Sequence, residues 1–254
     1  MFGKLMKHEF QATGRSLLRL YGIMLVLALM TTMAMRLFDL NQGWQGSVVG
    51  YIMIAYGLSV FAVAVGVFII LTLHYKINIL GDEGYLMMTL PTGVHSLLLS
   101  KLLTAMAWYL LTGVAMVLSV LIADSSNIDS AFFHDFVAGL HHMFSQSGAL
   151  SVLLRVLLAM LLFASLITLL SYAYYSLEQS FRKHKGLYNF AAVVVTLVLF
   201  RLCGWISVNY HINAGLAARE VQILTPIDYA QLIGLNLLMY FAAWWALSKR
   251  LNLE

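Results

Sequence analysis

The chain has 254 residues, 61% of them apolar and only 10% charged, with a formal net charge of +4. A soluble domain carries about 25% charged residues, so this composition, with a mean hydropathy of +0.86, describes a protein solvated largely by lipid. The small net charge gives no reason to expect nucleic acid as a partner. The single cysteine, Cys203, excludes an intramolecular disulfide and a Cys-based metal cluster, and its apolar surroundings in sequence predict a buried, inert thiol.

Residues 1–15 are amphipathic: Phe2, Leu5, Met6 and Phe10 recur at helical spacing, with Lys4, Lys7 and Gln11 on other faces. They predict an interfacial helix ahead of the first span. Apolar runs then predict about six transmembrane helices, at 17–35, 48–73, 102–122, 149–175, 187–208 and 230–247. Small residues Ala55, Ser59, Ala62 and Gly66 in the second run offer close helix contact, and Ser165, Thr168 and Ser171 in the fourth offer bonds across helices. Trp108, Tyr109, Trp205, Tyr210, Trp244 and Trp245 fall near span ends and fit interfacial aromatic belts. Residues 209–229 are too apolar for a solvated loop, and either a re-entrant pair of short helices or an ordinary interfacial helix satisfies them. The fold class is therefore all-α, a polytopic membrane protein built as one transmembrane domain over 1–254.

Between the second and third runs lies residues 74–101, HYKINILGDEGYLMMTLPTGVHSLLLSK. Lipid does not explain Asp82 and Glu83. Gly81 and Gly84 permit tight turns, Asp82 suits a helix cap, Glu83 the first turn beyond it, and Pro91 a stop. The pattern predicts a short helix slung between two spans, with Tyr85, Leu86, Met87, Met88 and Leu90 free for a partner. Glu83-Gly84, Leu86, Thr89-Leu90-Pro91, Leu98, Leu99 and Lys101 resemble the first cytoplasmic loop of ABC-2-type transporter permeases. The block GDEGYLMMTLP followed by LLLSKLL is similar to small permease subunits of Gram-positive bacteria. In such permeases this loop is a coupling helix docked on a separate ATPase. The resemblance thus implies that residues Asp82 to Met88, Leu90 and Pro91 meet ABC ATPase subunits, with ATP and Mg held in that partner. It also implies a second permease subunit, identical or paralogous, sharing the translocation path. The amphipathic start of the chain is similar to the family's elbow helix.

The distribution of Lys and Arg agrees. Lys4, Lys7, Arg15, Arg19, Lys76, Lys101, Arg182, Lys183, Lys185, Lys249 and Arg250 share one set of loops, against Arg36, Arg155 and Arg219 on the other. The positive-inside rule places both termini and residues 74–101 in the cytoplasm; the resemblance implies that the spans cross the cytoplasmic membrane of a bacterium.

Sites for chemistry are sparse. His134, His141 and His142 lack acidic or Cys partners at metal-ligand spacing, and HExxH and GxSxG are absent. The phosphate loop GxxxxGK[ST] is absent as well, so the chain itself is not expected to be an ATP-hydrolysing enzyme and needs no cofactor of its own. His74, His95 and His184 flank cytoplasmic membrane ends, where snorkelling or contact with lipid headgroups is the expectation. Arg201 stands inside the fifth run, about 21 Å along the helix from Leu187. It either lines a translocation path or snorkels to the interface. The expected function is that of an ATP-driven exporter's permease; the alternative is a secondary transporter or another polytopic protein not driven by ATP.

Overall fold

The computed structural model describes residues 2–38, 43–81, 93–123, 149–180, 185–213 and 225–249. Nearly all of these lie in six helices: α1 (Phe2–Leu37), α2 (Gly43–Leu80), α3 (Val94–Ala123), α4 (Ala149–Ser180), α5 (Lys185–Asn213) and α6 (Pro226–Lys249). No strand occurs among the described residues. Helix is what such apolar runs must form in lipid, where each backbone N–H and C=O has to be satisfied within the segment. All six helices are long and apolar enough to cross a membrane, and the chain is an all-α multi-pass membrane protein. The 38 residues of α2 rise to about 57 Å, well beyond the ~30 Å hydrocarbon core.

The helices overrun the expected spans. Residues 2–37 form one continuous helix, so the segment expected as a separate interfacial elbow runs unbroken into the first span. The physical reason is that nothing interrupts it: the chain's two prolines are Pro91 and Pro226, and neither is near. At the other end of the sequence Pro226 starts a helix instead of breaking one. The Thr225 carbonyl accepts from the N–H groups of Asp228 and Tyr229, and the Asp228 carboxylate accepts from the Thr225 N–H at 2.8 Å and its hydroxyl at 2.7 Å. Thr225 is thus an N-cap with proline in the position after it. Within 209–229, the described residues are the end of α5 and the start of α6; the expected re-entrant segment otherwise lies outside them.

The chain divides into two compact units, Phe2–His74 with Leu103–Leu154, and Tyr75–Leu102 with Arg155–Glu254; α2, α3 and α4 contribute residues to both. In the first unit Leu17, Met24, Val63, Val67, Leu71 and Trp108 form the core. Polar side chains join its helices as well. Thr112 donates to the Trp108 carbonyl at 2.7 Å, which leaves Tyr21 to donate to Thr112 Oγ1 at 2.7 Å. Ser119 donates to the Met116 carbonyl at 2.8 Å, so Tyr56 donates to Ser119 at 3.0 Å. Thr32 donates to the Ile122 carbonyl. Of the small residues expected at a helix contact, Gly66 is used: a Cβ there would stand 3.1 Å from Leu20 Cδ1. Ala55 and Ala62 are exposed instead. Trp108, expected in an interfacial belt, is a core residue at 2% exposure, stacked on Phe10 at 4.3 Å. A tryptophan near a span end reads the same in sequence whether it faces headgroups or a neighbouring helix.

In the second unit Tyr75, Leu98, Leu166, Tyr172, Met239 and Ala243 are central to the core. Ser165 donates across to Asn236 Oδ1 at 2.7 Å, as its position in the fourth run led us to expect of a hydroxyl there. Thr168 and Ser171 bond to carbonyls of their own helix, Ala164 and Thr168. The Asn236 amide also donates to the carbonyls of Leu162 and Leu232, at 3.1 and 2.8 Å. By contrast, the apolar window 191–209 of α5 has no buried residue.

Candidate functional site

The stretch that drew attention in the sequence is framed by two helix ends in the second unit. Residues Asp82, Glu83, Gly84, Tyr85, Leu86, Met87, Met88, Leu90 and Pro91 lie outside the described residues. The flanks are described. At the end of α2 the Gly81 N–H donates to the Ile77 carbonyl at 3.1 Å. A Cβ at Gly81 would sit 2.4 Å from that same oxygen, so this chain end requires glycine. The oxygen belongs to the backbone and cannot swing away. At the start of α3 the Gly93 carbonyl accepts from Ser96 N at 2.9 Å and Leu97 N at 3.3 Å, which makes Gly93 the N-cap.

Both ends are fixed by side chains on α4 and α6. Tyr75 is fully buried, stacked on Tyr172 at 3.8 Å between ring centres, with its hydroxyl 2.6 Å from Ser176 Oγ. Lys76 Nζ lies 4.8 Å above the Tyr175 ring, a cation–π distance. On α3, His95 stacks on Trp244 at 4.8 Å and sets Nδ1 3.1 Å from the Tyr240 hydroxyl. His95 is exposed and has a specific seat on α6. Ile79 and Leu98 enter the core between these polar contacts. Lys101, part of the sequence motif, is buried at 4% exposure. The two helix ends on either side of the stretch therefore share one core with α4 and α6.

The first unit holds a buried acid that sequence reasoning missed. Glu9 is 4% exposed, and its Oε2 lies 2.9 Å from His74 Nε2. A buried carboxyl group needs a hydrogen-bond partner, and His74 supplies it. The two residues are 65 positions apart, and neither run carries a pattern that pairs them.

Arg201 is exposed on α5, beside two hollows of the second unit. One, of about 560 Å³, lies between α4, α5 and α6 and includes Cys203, Ser207, Asp228 and Gln231 in its wall. The other, about 430 Å³, is bounded by the same three helices near Tyr174, Thr196 and Leu238. Arg201 lines neither. Cys203, expected to be buried, is half-buried in the wall of the larger. Among the described residues no group of three or more His, Cys, Asp or Glu is placed to hold a metal ion; His134, His141, His142 and His184 lie outside them. No protein-family model, curated protein or solved structure matches the chain.

Proposed function

We propose that this chain is the membrane-spanning permease subunit of an ATP-driven ABC exporter of the ABC-2 type. It forms the translocation path with a second permease subunit and is coupled to separate ATPase subunits through residues 82–91. The observation that supports this most directly is the mounting of the GDEGYLMMTLP block. It joins two helix ends, at Gly81 and Gly93, that are set into a single core by Tyr75, Leu98 and their partners.

In this reading the Lys and Arg distribution puts the stretch on the cytoplasmic side of a bacterial membrane. ATP and Mg act in the partner, and this chain works mechanically. Closure of the ATPases moves the docked helix, the ends of α2 and α3 move with it, and the ring stacks on α4 and α6 shift between two packings. Asp82 and Glu83 stabilise the start of the docked helix and face basic groups of the ATPase. Met87 and Met88 adapt to its groove. The test is Glu83→Lys and Leu86→Ser, each co-expressed with the ATPase and verified for membrane insertion. Loss of the helix-end contribution alone, ~0.3–1 kcal/mol, leaves transport nearly intact. Loss of a desolvated interface pair, ~2–5 kcal/mol, removes the ATPase from pull-downs or uncouples its stimulated activity. Wild-type behaviour of both variants would refute the assignment.

A second reading, an ion-coupled transporter without an ATPase, draws on the buried Glu9–His74 pair, an acid and an imidazole in direct hydrogen-bond contact that can pass a proton between them. Uptake into proteoliposomes driven by a pH gradient without nucleotide, and lost in Glu9→Gln, would favour it.

A further inference from the structure

The outward face of α1 changes character part-way along the helix. Lys4, Lys7, His8, Gln11, Arg15 and Arg19 are all exposed and recur at steps of three and four, which sets them in one stripe of a helix with 3.6 residues per turn. Ile23, Val26, Met30, Met33 and Leu37 carry the same steps onward and are exposed as well. The stripe is one continuous face, basic at its start and apolar beyond. Its apolar part opens at Leu18, also exposed. From Leu18 to Leu37 the helix rises about 29 Å, close to the ~30 Å of a bilayer's hydrocarbon core.

No acid offsets the basic part. Glu9 is the one acid in the sequence of α1, and it is turned the other way, buried against His74. Lys4, Lys7, Arg15 and Arg19 make no ion pair among the described residues. Arg15 and Arg19 stand one turn apart where the apolar part opens. The Arg19 Nε–H donates to the Arg15 carbonyl at 2.9 Å. That side chain therefore folds back along the helix, away from the apolar part, and its terminal N–H groups are left for an acceptor from outside. Two guanidinium groups one turn apart suit a phosphate, whose oxygens accept from such planar forks. Lipid phosphates lie at this depth, just outside the hydrocarbon edge.

We propose that Arg15 and Arg19 bind the phosphate of an anionic phospholipid, with Lys4 and Lys7 drawing such lipids to this end of α1. Juxtamembrane cations attract anionic headgroups in this way, by about fivefold for each Lys or Arg near the surface. A zwitterionic headgroup brings a positive charge of its own into the site and gains less. An acidic protein segment fits the face less well than lipid does. The same stripe is turned to acyl chains from Leu18 onward, so the group that covers Arg15 and Arg19 is the head of the lipid whose chains lie along Leu18 and Val26. The site belongs to the first unit and is independent of the proposed coupling to an ATPase.

Cys203 is the sole cysteine, so a donor fluorophore is attached through Ala12→Cys in the Cys203→Ser chain; Ala12 is exposed beside the stripe and not part of it. The purified full chain is placed in nanodiscs of dioleoylphosphatidylcholine, which need no assumption about which side α1 starts on. Energy transfer is compared for trace phosphatidylglycerol and trace phosphatidylcholine, each with the same acceptor on an acyl chain. The expected result is an enrichment of phosphatidylglycerol at the donor of about fivefold or more. Arg15→Gln with Arg19→Gln, still monodisperse, brings the ratio close to one. Arg15→Lys with Arg19→Lys keeps both charges and most of the preference. Equal transfer to the two lipids would overturn the site and give the face to an acidic protein segment. A preference unchanged in the glutamine variant, or lost as fully in the lysine variant as in the glutamine one, would overturn it too.

Discussion

The two units of this chain are built from the same apolar helices and close them differently. The first unit interlocks through ring stacking on Trp108, close approach at Gly66, and cross-helix hydrogen bonds that include those of Tyr21, Thr32, Tyr56 and the Glu9–His74 pair. Residues 75–102 and 155–249 are packed where the ends of α2 and α3 meet α4 and α6, and hollow where α5 faces α4 and α6. In lipid, tail contacts are as apolar as leucine, so helix association rests on fit and hydrogen bonds and not on apolar burial alone. The first unit has both at the contacts named. The second has them where α2 and α3 meet α4 and α6, and the hollows beside α5 leave room for a ligand or a shift of that helix. The difference teaches that similar hydropathy does not imply similar packing.

The largest test of this contrast is Trp108→Ala. Truncating a fully packed aromatic should cost ~3–5 kcal/mol, read as earlier unfolding in a dodecyl sulfate titration of mixed micelles. Adding volume separates the units next. Gly66→Leu must push against Leu20 and should lose ~1–3 kcal/mol. Gly204→Leu meets open space and should gain ~0.8 kcal/mol from helix propensity. Equal losses at both glycines would erase the contrast. The smallest effect is expected from Tyr75→Phe, which keeps the stack on Tyr172 and deletes the bond to Ser176. Hydrogen bonds between membrane helices average ~0.6 kcal/mol, and a loss above ~2 kcal/mol would mean that the hydroxyl, not the ring, secures the end of α2.

The six helices were legible because each holds a long apolar run with few charges inside it, Arg201 being the exception in α5. Their limits were less so. The join of residues 1–15 to the first span follows from the absence of a breaker, which an amphipathic pattern does not reveal. A proline in sequence marks either a break or a helix start, and the Thr225–Asp228 bonds identify Pro226 as a start. Around the candidate site the sequence pointed to the block and to its glycines, and the 2.4 Å approach at Gly81 gives the reason for one of them. It did not pair Glu9 with His74, place Trp108 inside, or seat His95 on Trp244, because those contacts join residues far apart in the chain. A hollow has no sequence signal at all. Cys203 and Gln231 share a wall only because three helices leave space between them.

The central claim is that residues 82–91 dock on an ATPase. A photo-reactive residue placed at Met87, irradiated in the membranes of the source cell, tests it most directly. The account predicts one dominant protein adduct, identified by peptide sequence as a protein bearing the GxxxxGK[ST] phosphate loop, whose yield changes when ATP is trapped with vanadate. Adducts confined to lipid, or to proteins without that loop, would contradict it.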